Sequence, residues 1–232
     1  MVVRLLARSI RSAPSQWRRH PLLDAEREAT LLTSLRCGNR AAVGDLFELH
    51  RERLLRVVHV RLSPRLRQRV DTADVVQETY LVASKRIDEF LSQQEGSLFV
   101  WLRFLAVQKV VDLHREHLRA MKRSMAREVG AEHTSSAHIL ANLIATTSTP
   151  CAKAMRGELR DRLTQVIQEI PESDRNILLL RHFEQLTNQE VAETLKMNQS
   201  SVSTRHVRAL VKLKSLLIQH DEFRDLLSQD FE

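Results

Sequence analysis

From Leu22 to about Arg127, apolar residues recur at helical spacing, and the pattern predicts a succession of amphipathic helices. Ala42, Leu46 and Leu49 begin one stripe, which Leu54, Val57, Val58 and Leu62 carry to Ser63-Pro64, where proline predicts a break. A second helix is expected from about Asp71 to Phe90, followed by a turn around Gly96. A third starts near Leu98, sets Trp101, Leu102, Leu105, Val110 and Leu113 at apolar positions, and continues through the charged stretch to Arg123. Trp101 at such a position reads as core.

The pattern lapses over residues 130–150, where seven Ser/Thr, one acid and no base end in Thr149-Pro150. Ile139, Leu140, Leu143 and Ile144 suggest a short amphipathic piece, but the flanks read as linker. Helical spacing resumes from about Gly157 to His220. Ile170-Pro171-Glu172-Ser173-Asp174 sets a proline at a helix start with acids in the first turn, which favours the helix dipole. That helix is expected to run through Ile177, Leu178, Leu180 and Arg181. Thr187 and Glu190 have capping-box spacing ahead of Val191, Ala192 and Leu195, and Asn198 is a good N-cap for a helix through Leu213. Helix, tight turn and second helix, with a small Ala192 at the crossing, make a helix-turn-helix.

Composition supports this reading. The chain has 232 residues with only 5 Gly and 5 Pro, too few turn formers for a β-sandwich or barrel. No P-loop or G-x-G-x-x-G occurs, and the two cysteines, Cys37 and Cys151, stand far apart, so neither a disulfide framework nor a cysteine zinc site is expected. Apolar runs are too short to span a membrane. The expectation is an all-α, cytoplasmic protein of two helical domains joined by a flexible linker.

Charge refines the picture. The net +7 (36 basic against 29 acidic groups) is uneven. Residues 1–20 carry five Arg and no acid; residues 51–69 carry seven Arg against Glu52; residues 99–127 carry seven basic groups against two acids. Residues 158–198 are net −3, residues 199–214 hold four basic groups and no acid, and the tail from Asp221 is acidic. Separate basic blocks suit contacts with a polyanion. On the helix after Asn198, at about 100° per residue, Val202, His206, Ala209 and Leu213 share the core side. Ser200, Ser201, Thr204 and Arg208 fall opposite, with Arg205 and Lys212 on the flanks. Hydroxyls permit close approach to a DNA groove, and arginines bond phosphate or guanine.

These residues carry a resemblance. Ile170-Pro171-x-x-x-Arg175, Leu186-Thr187-x-x-Glu190-Val191-Ala192-Glu193-x-Leu195 and Val202-x-x-Arg205-x-x-Arg208-Ala209 resemble region four of sigma-70 family transcription initiation factors. Asp71-x-x-Asp74-Val75-Val76-Gln77-Glu78-Thr79 resembles the polymerase-binding signature of region two, and Leu35, Gly38, Ala42 and Leu46 are similar to its first helix. Trp101-Leu102, Asp112 and Arg115 follow at the spacing of the family's strand-opening and −10 reading helix. With no recognisable domain between them, the two modules are similar to the extracytoplasmic-function (ECF) type.

The resemblance implies a basic extension at 1–21, region two at 22–127, a Ser/Thr-rich linker at 128–156, region four at 157–220 and an acidic tail at 221–232. It implies binding of core RNA polymerase, on the clamp helices of its largest subunit, through Asp71, Asp74, Gln77 and Glu78. The −10 element falls to Lys109, Arg115, Arg119, Lys122 and Arg123, and the −35 element to Ser200, Ser201, Thr204, Arg205, Arg208 and Lys212. Promoter DNA is then the second partner, an anti-sigma factor a third, and neither cofactor nor catalytic residue is required. Three departures stand out: the family usually has asparagine at Lys109, glycine at Lys196 and leucine at His206. A left-handed turn at Lys196 costs a non-glycine residue about 1 kcal/mol. The rival readings are a stand-alone helix-turn-helix regulator and an enzyme using a metal shared by His114 and His117 beside Glu116, the latter without a third ligand of clear spacing. The Arg-rich first twenty residues read equally as a transit-peptide-like segment, a basic surface helix or a disordered arm.

Overall fold

The computed structural model describes residues 21–93, 96–124, 135–145, 156–220 and 223. The basic extension and most of the acidic tail lie outside the described residues. Every element among them is helical, and they divide into two compact units at about residue 128.

The first unit comprises α1 (Pro21–Arg36), α2 (Ala42–Arg61), the single turn α3 (Pro64–Arg67), α4 (Thr72–Ser92) and α5 (Leu98–Ser124). α1 ends in a Schellman turn, with Gly38 N–H bonded to Leu35 O and Asn39 N–H to Ser34 O, both at 3.0–3.1 Å. Gly38 supplies the required left-handed backbone at φ +94°. The predicted break is present: Ser63 caps α3 by accepting from Leu66 N–H, with Pro64 at the first helical position. α2 is the hub, lying against α1, α4 and α5, while α4 also packs on α5. Its Leu54, Val57 and Val58 are fully buried. Trp101 is buried and its ring lies 5.5 Å from that of Phe90, which ties α5 to the end of α4.

The Arg-rich run of α2 and α3 is partly structural. Arg56 is buried, Arg53 sits 3.5 Å over the Phe99 ring, and Arg67 donates to His59 Nε2 at 2.8 Å. A guanidinium is weakly hydrated and stacks on aromatic faces, so it enters an interface that a lysine would resist.

The second unit comprises α6 (Ser136–Ala145), α7 (Arg156–Gln168), α8 (Glu172–Leu178), α9 (Asn188–Leu195) and α10 (Gln199–Gln219). α6 lies inside the Ser/Thr-rich stretch, where the short amphipathic piece suggested by Ile139, Leu140, Leu143 and Ile144 forms a helix. Its Ala137, Ile139, Leu140, Ala141 and Ile144 are buried, and it packs on α7 and α8. Arg175 joins three elements: Nη1 donates to the Gln168 and Ile170 carbonyls, and Nε to Ser136 Oγ at 3.2 Å. This clamp satisfies carbonyls left open where α7 ends. Beyond Leu178 the helix expected to continue regularly widens into a π-turn over Leu179–Phe183, with Glu184 N–H reaching Leu179 O. Arg181 then donates to Leu186 O, holding the chain as it enters the helix-turn-helix.

The hub role of α2 is testable. Leu54→Ala removes a side chain with no exposed surface, and an expected loss of about 2–5 kcal/mol lowers the denaturant midpoint of the first unit. Little change in that midpoint would exclude α2 as its centre.

Candidate protein and nucleic-acid interfaces

Burial sets the outer face of α4. Val75, Val76, Thr79, Ala83 and Ile87 turn inward, and the Thr79 hydroxyl is absorbed by Val75 O at 2.8 Å. Asp74, Gln77 and Glu78 are therefore exposed together. Asp71 is exposed too, but as the N-cap of α4, accepting from Ala73 N–H at 2.9 Å. Leu81 is 53% exposed one turn beyond Gln77 and extends the same face with an apolar group. Sequence reasoning passed over it, although its place four residues after Gln77 was the available signal. Beside this face, Phe47, Val76, Tyr80, Gln77 and Arg51 line a groove of about 430 Å³ between α2 and α4. The Tyr80 ring stands edge-on to Phe47 at 5.0 Å.

On α5 the basic residues are not equivalent. Lys109 Nζ lies 2.5 Å from Glu78 Oε2, joining a residue expected at the polymerase surface to one expected at DNA. The hydrogen bond to Glu78 holds the ammonium above its usual range against slight desolvation, with help from Glu78, Glu116 and Asp112 charges. Arg115 is exposed, 3.6 Å from Asp112, and Arg119 is exposed. The side chains of Lys122 and Arg123 lie outside the described residues. Phe104, 50% exposed on this helix, is a second residue the sequence reading missed. His114 turns into the unit, its Nε2 3.2 Å from Arg61 O. Among the described residues, no three His, Cys, Asp or Glu side chains are grouped to hold a metal.

The helix-turn-helix forms from its local signals. Thr187 Oγ1 accepts from Glu190 N–H at 3.2 Å while Glu190 Oε2 accepts from Thr187 N–H at 2.8 Å, a complete capping box. Lys196 takes the left-handed conformation at φ +53° and ψ +50°. Met197 N–H bonds to Ala192 O and Lys196 N–H to Glu193 O, so the turn is a Schellman motif despite the missing glycine. Asn198 Oδ1 caps α10 by accepting from Ser201 N–H at 2.7 Å. Ser200, Thr204, Arg208 and Lys212 are exposed as expected, whereas Ser201 is half-buried. Arg205 is half-buried as well and points back to α8, donating to Ser173 Oγ at 3.0 Å. His206 lies half-buried with its Nε2 2.8 Å from His182 Nε2, across from the π-turn.

Comparison with known proteins places these surfaces in context. A family model described as "Sigma-70, region 4" matches residues 160–213. The RNA polymerase sigma-H factor of Pseudomonas aeruginosa is 24% identical over 81% of this chain and 92% of its own length. The ECF RNA polymerase sigma factor SigK of Mycobacterium bovis is 27% identical over 85% of this chain and 96% of its own. A solved structure of CnrH in complex with the cytosolic domain of CnrY is 22% identical, covering 83% of this chain and 97% of that one at a TM-score of 0.46. No helix among the described residues is long and apolar enough to cross a membrane.

The histidine pair makes the second unit sensitive to acid. Burial pushes His182 down to about 4, assisted by the charges of His206 and Arg181. Burial also lowers His206, again with Arg181 acting in the same direction. Both imidazoles titrate near 6.5 when unfolded, so the unfolded chain binds more protons than the folded one below that pH. Stability from this pair is therefore present above about 6.5 and is lost as pH falls toward 4. The urea midpoint of the second unit is expected to fall between about pH 7 and 5, and His182→Phe to flatten that slope. Parallel slopes for the two proteins would remove the pair as the cause.

Proposed function

The chain belongs to the ECF type of the sigma-70 family of RNA polymerase sigma factors, and on that premise we propose a division of labour between its two units. It is a transcription initiation factor that binds core RNA polymerase and directs it to promoters, acting by binding while the polymerase supplies the chemistry. In this reading the outer face of α4 (Asp74, Gln77, Glu78 and Leu81) docks on the clamp helices of the largest subunit. Carboxylates there steer a basic partner, and the adjoining groove accepts an apolar or aromatic side chain. The observation carrying the reading is that the two motifs, in family order, each fold with most of their candidate contact side chains exposed: Asp71, Asp74, Gln77 and Glu78 on α4, and Ser200, Thr204, Arg208 and Lys212 on α10.

Promoter contacts follow from the same geometry. Arg115 and Arg119, with Lys122 and Arg123 further along α5, hold phosphates of the −10 element. Phe104 offers an exposed ring to an unpaired base, and such stacking is worth about 1–3 kcal/mol. That offsets a share of strand opening, which costs roughly 1.4 kcal/mol per base step. Lys109 stays charged, but the Glu78 carboxylate beside it offsets much of the positive field it would present to DNA. α10 lies in the major groove of the −35 element, with Arg208 and Lys212 on backbone or guanine. Binding both elements at once raises overall affinity through effective concentration. The polymerase places this work in the cytoplasm.

Run-off transcription with core polymerase over a promoter library tests the function directly. Transcription that depends on this protein is the expected result. A protein that binds its site as tightly without core enzyme would instead be a stand-alone regulator. Asp74→Arg is expected to abolish the complex with core polymerase on gel filtration and leave the circular dichroism spectrum unchanged. It is a cleaner probe than Asp71, whose loss also removes a cap worth about 1 kcal/mol. Undiminished complex would sink the α4 assignment.

The two α10 arginines separate in a salt titration. Arg208→Ala is expected to reduce the salt slope of promoter binding by about one phosphate contact. Arg205→Ala is expected to change it less, since its guanidinium is engaged with Ser173. Equal reductions would mean that Arg205 leaves Ser173 when DNA binds.

A further inference from the structure

α10 offers DNA fewer free donors than its composition implies. The Ser200 hydroxyl donates to Asn198 Oδ1 at 2.9 Å, Ser203 to Gln199 O at 3.2 Å, and Thr204 to Ser200 O at 3.1 Å. These hydroxyls keep lone pairs for bonds from DNA amino groups, but their protons are committed within the protein. In the middle of this surface stands Val207, 60% exposed, with Val211 one turn further at 63%. At 100° per residue, Val207 lies about 20° from Ser200 and about 60° from Thr204 around the helix. It is thus on the open side, opposite the buried Val202, Ala209 and Leu213. An isopropyl group left in water there adds nothing to the core.

The major groove has one apolar group on its base edges, the C5-methyl of thymine. Resting on the reading of α10 as the −35 recognition helix, we infer that Val207 is a specificity-determining residue that reads a thymine methyl. The Ser200–Val211 face spans about 16 Å along the helix axis, at 1.5 Å per residue. Val207 stands near its middle, with the Ser200 and Thr204 hydroxyl acceptors towards the N-terminal end of the helix and Arg208 as the next residue. The arrangement selects an element in which a thymine adjoins a base pair offering donors to the hydroxyls or acceptors to the arginine. An alternative occupant, a protein surface covering Val207 and Val211, would leave promoter choice untouched and is separated by the test.

The test uses holoenzyme and the −35 element selected by run-off transcription. Each thymine of that element is replaced in turn by uracil, which removes only the methyl, and binding is measured by competition. Wild type is expected to bind roughly fourfold more weakly at one position, the scale of one buried methyl or methylene. Val207→Ala is expected to show no methyl dependence at that position, and Val207→Ile to retain it. Val207→Thr, isosteric but polar, checks that the loss follows apolar character rather than shape. Equal methyl dependence in wild type and Val207→Ala at every position, or a selected element without thymine, overturns the inference. So does a uniform loss across all elements, which would mark a protein contact. Failure to select any promoter would instead overturn the sigma-factor reading on which the inference rests.

Discussion

Burial of one stripe of α10 (Val202, Ala209, Leu213 and Leu217) in the core it shares with α8 fixes the rotation of the recognition helix. A helix cannot turn by one residue without moving apolar side chains into water and polar ones into the core, so its outward set is determined by its inward set. Ala209, fully buried, permits close approach of the two helices. The same constraint orders α4, where Val76, Ala83 and Ile87 inside compel Asp74, Gln77 and Glu78 outside. Both candidate surfaces are complements of core stripes, held by packing of the helices beneath them.

Periodicity and capping chemistry made most helices legible, because those signals are local. The capping box at Thr187 and Glu190 and the cap at Asn198 form as their spacing predicts. What stayed hidden depends on contacts between distant residues or on competing compositional cues. α6 was suggested by its own apolar spacing, but its extent and its packing on α7 and α8, with six of its ten residues buried, were not legible in a Ser/Thr-rich stretch. The pairing of Glu78 with Lys109 requires α4 and α5 to fold back on one another, and Arg205 reaches Ser173 only once α10 lies on α8. Neither partner advertises the other in sequence. The left-handed residue at Lys196 shows the limit in reverse: the usual glycine is absent, yet the hydrogen bonds that demand the turn are made.

Charge is where sequence and structure part most clearly. The basic blocks suggested broad surfaces for a polyanion, but several of their cations are occupied. Arg56 is buried in the first unit, Arg53 stacks on Phe99, Lys109 is matched by a carboxylate, and Arg205 is turned to a serine. On the proposed reading, the charge offered to DNA is consequently narrower than a count of basic residues indicates, with Arg208 and Lys212 exposed on α10 and Arg115 exposed beside Asp112 on α5. A narrow basic surface favours register over general adhesion, since fewer phosphates are held and each contact fixes position more tightly.

The inward-directed hydroxyl protons of α10 have a further consequence for how the helix meets solvent. Serines and threonines that donate within the protein bind surrounding water less firmly than free hydroxyls, and the exposed valines beside them bind it least. Docking this face therefore sheds loosely held water from apolar groups, a process with a negative heat-capacity change. Contacts of Arg208 and Lys212 with phosphates, as proposed, would release counterions instead and respond to salt. On the proposed reading, one helix thus combines two driving forces with different controls: temperature acts on its valine face, ionic strength on its cationic flank.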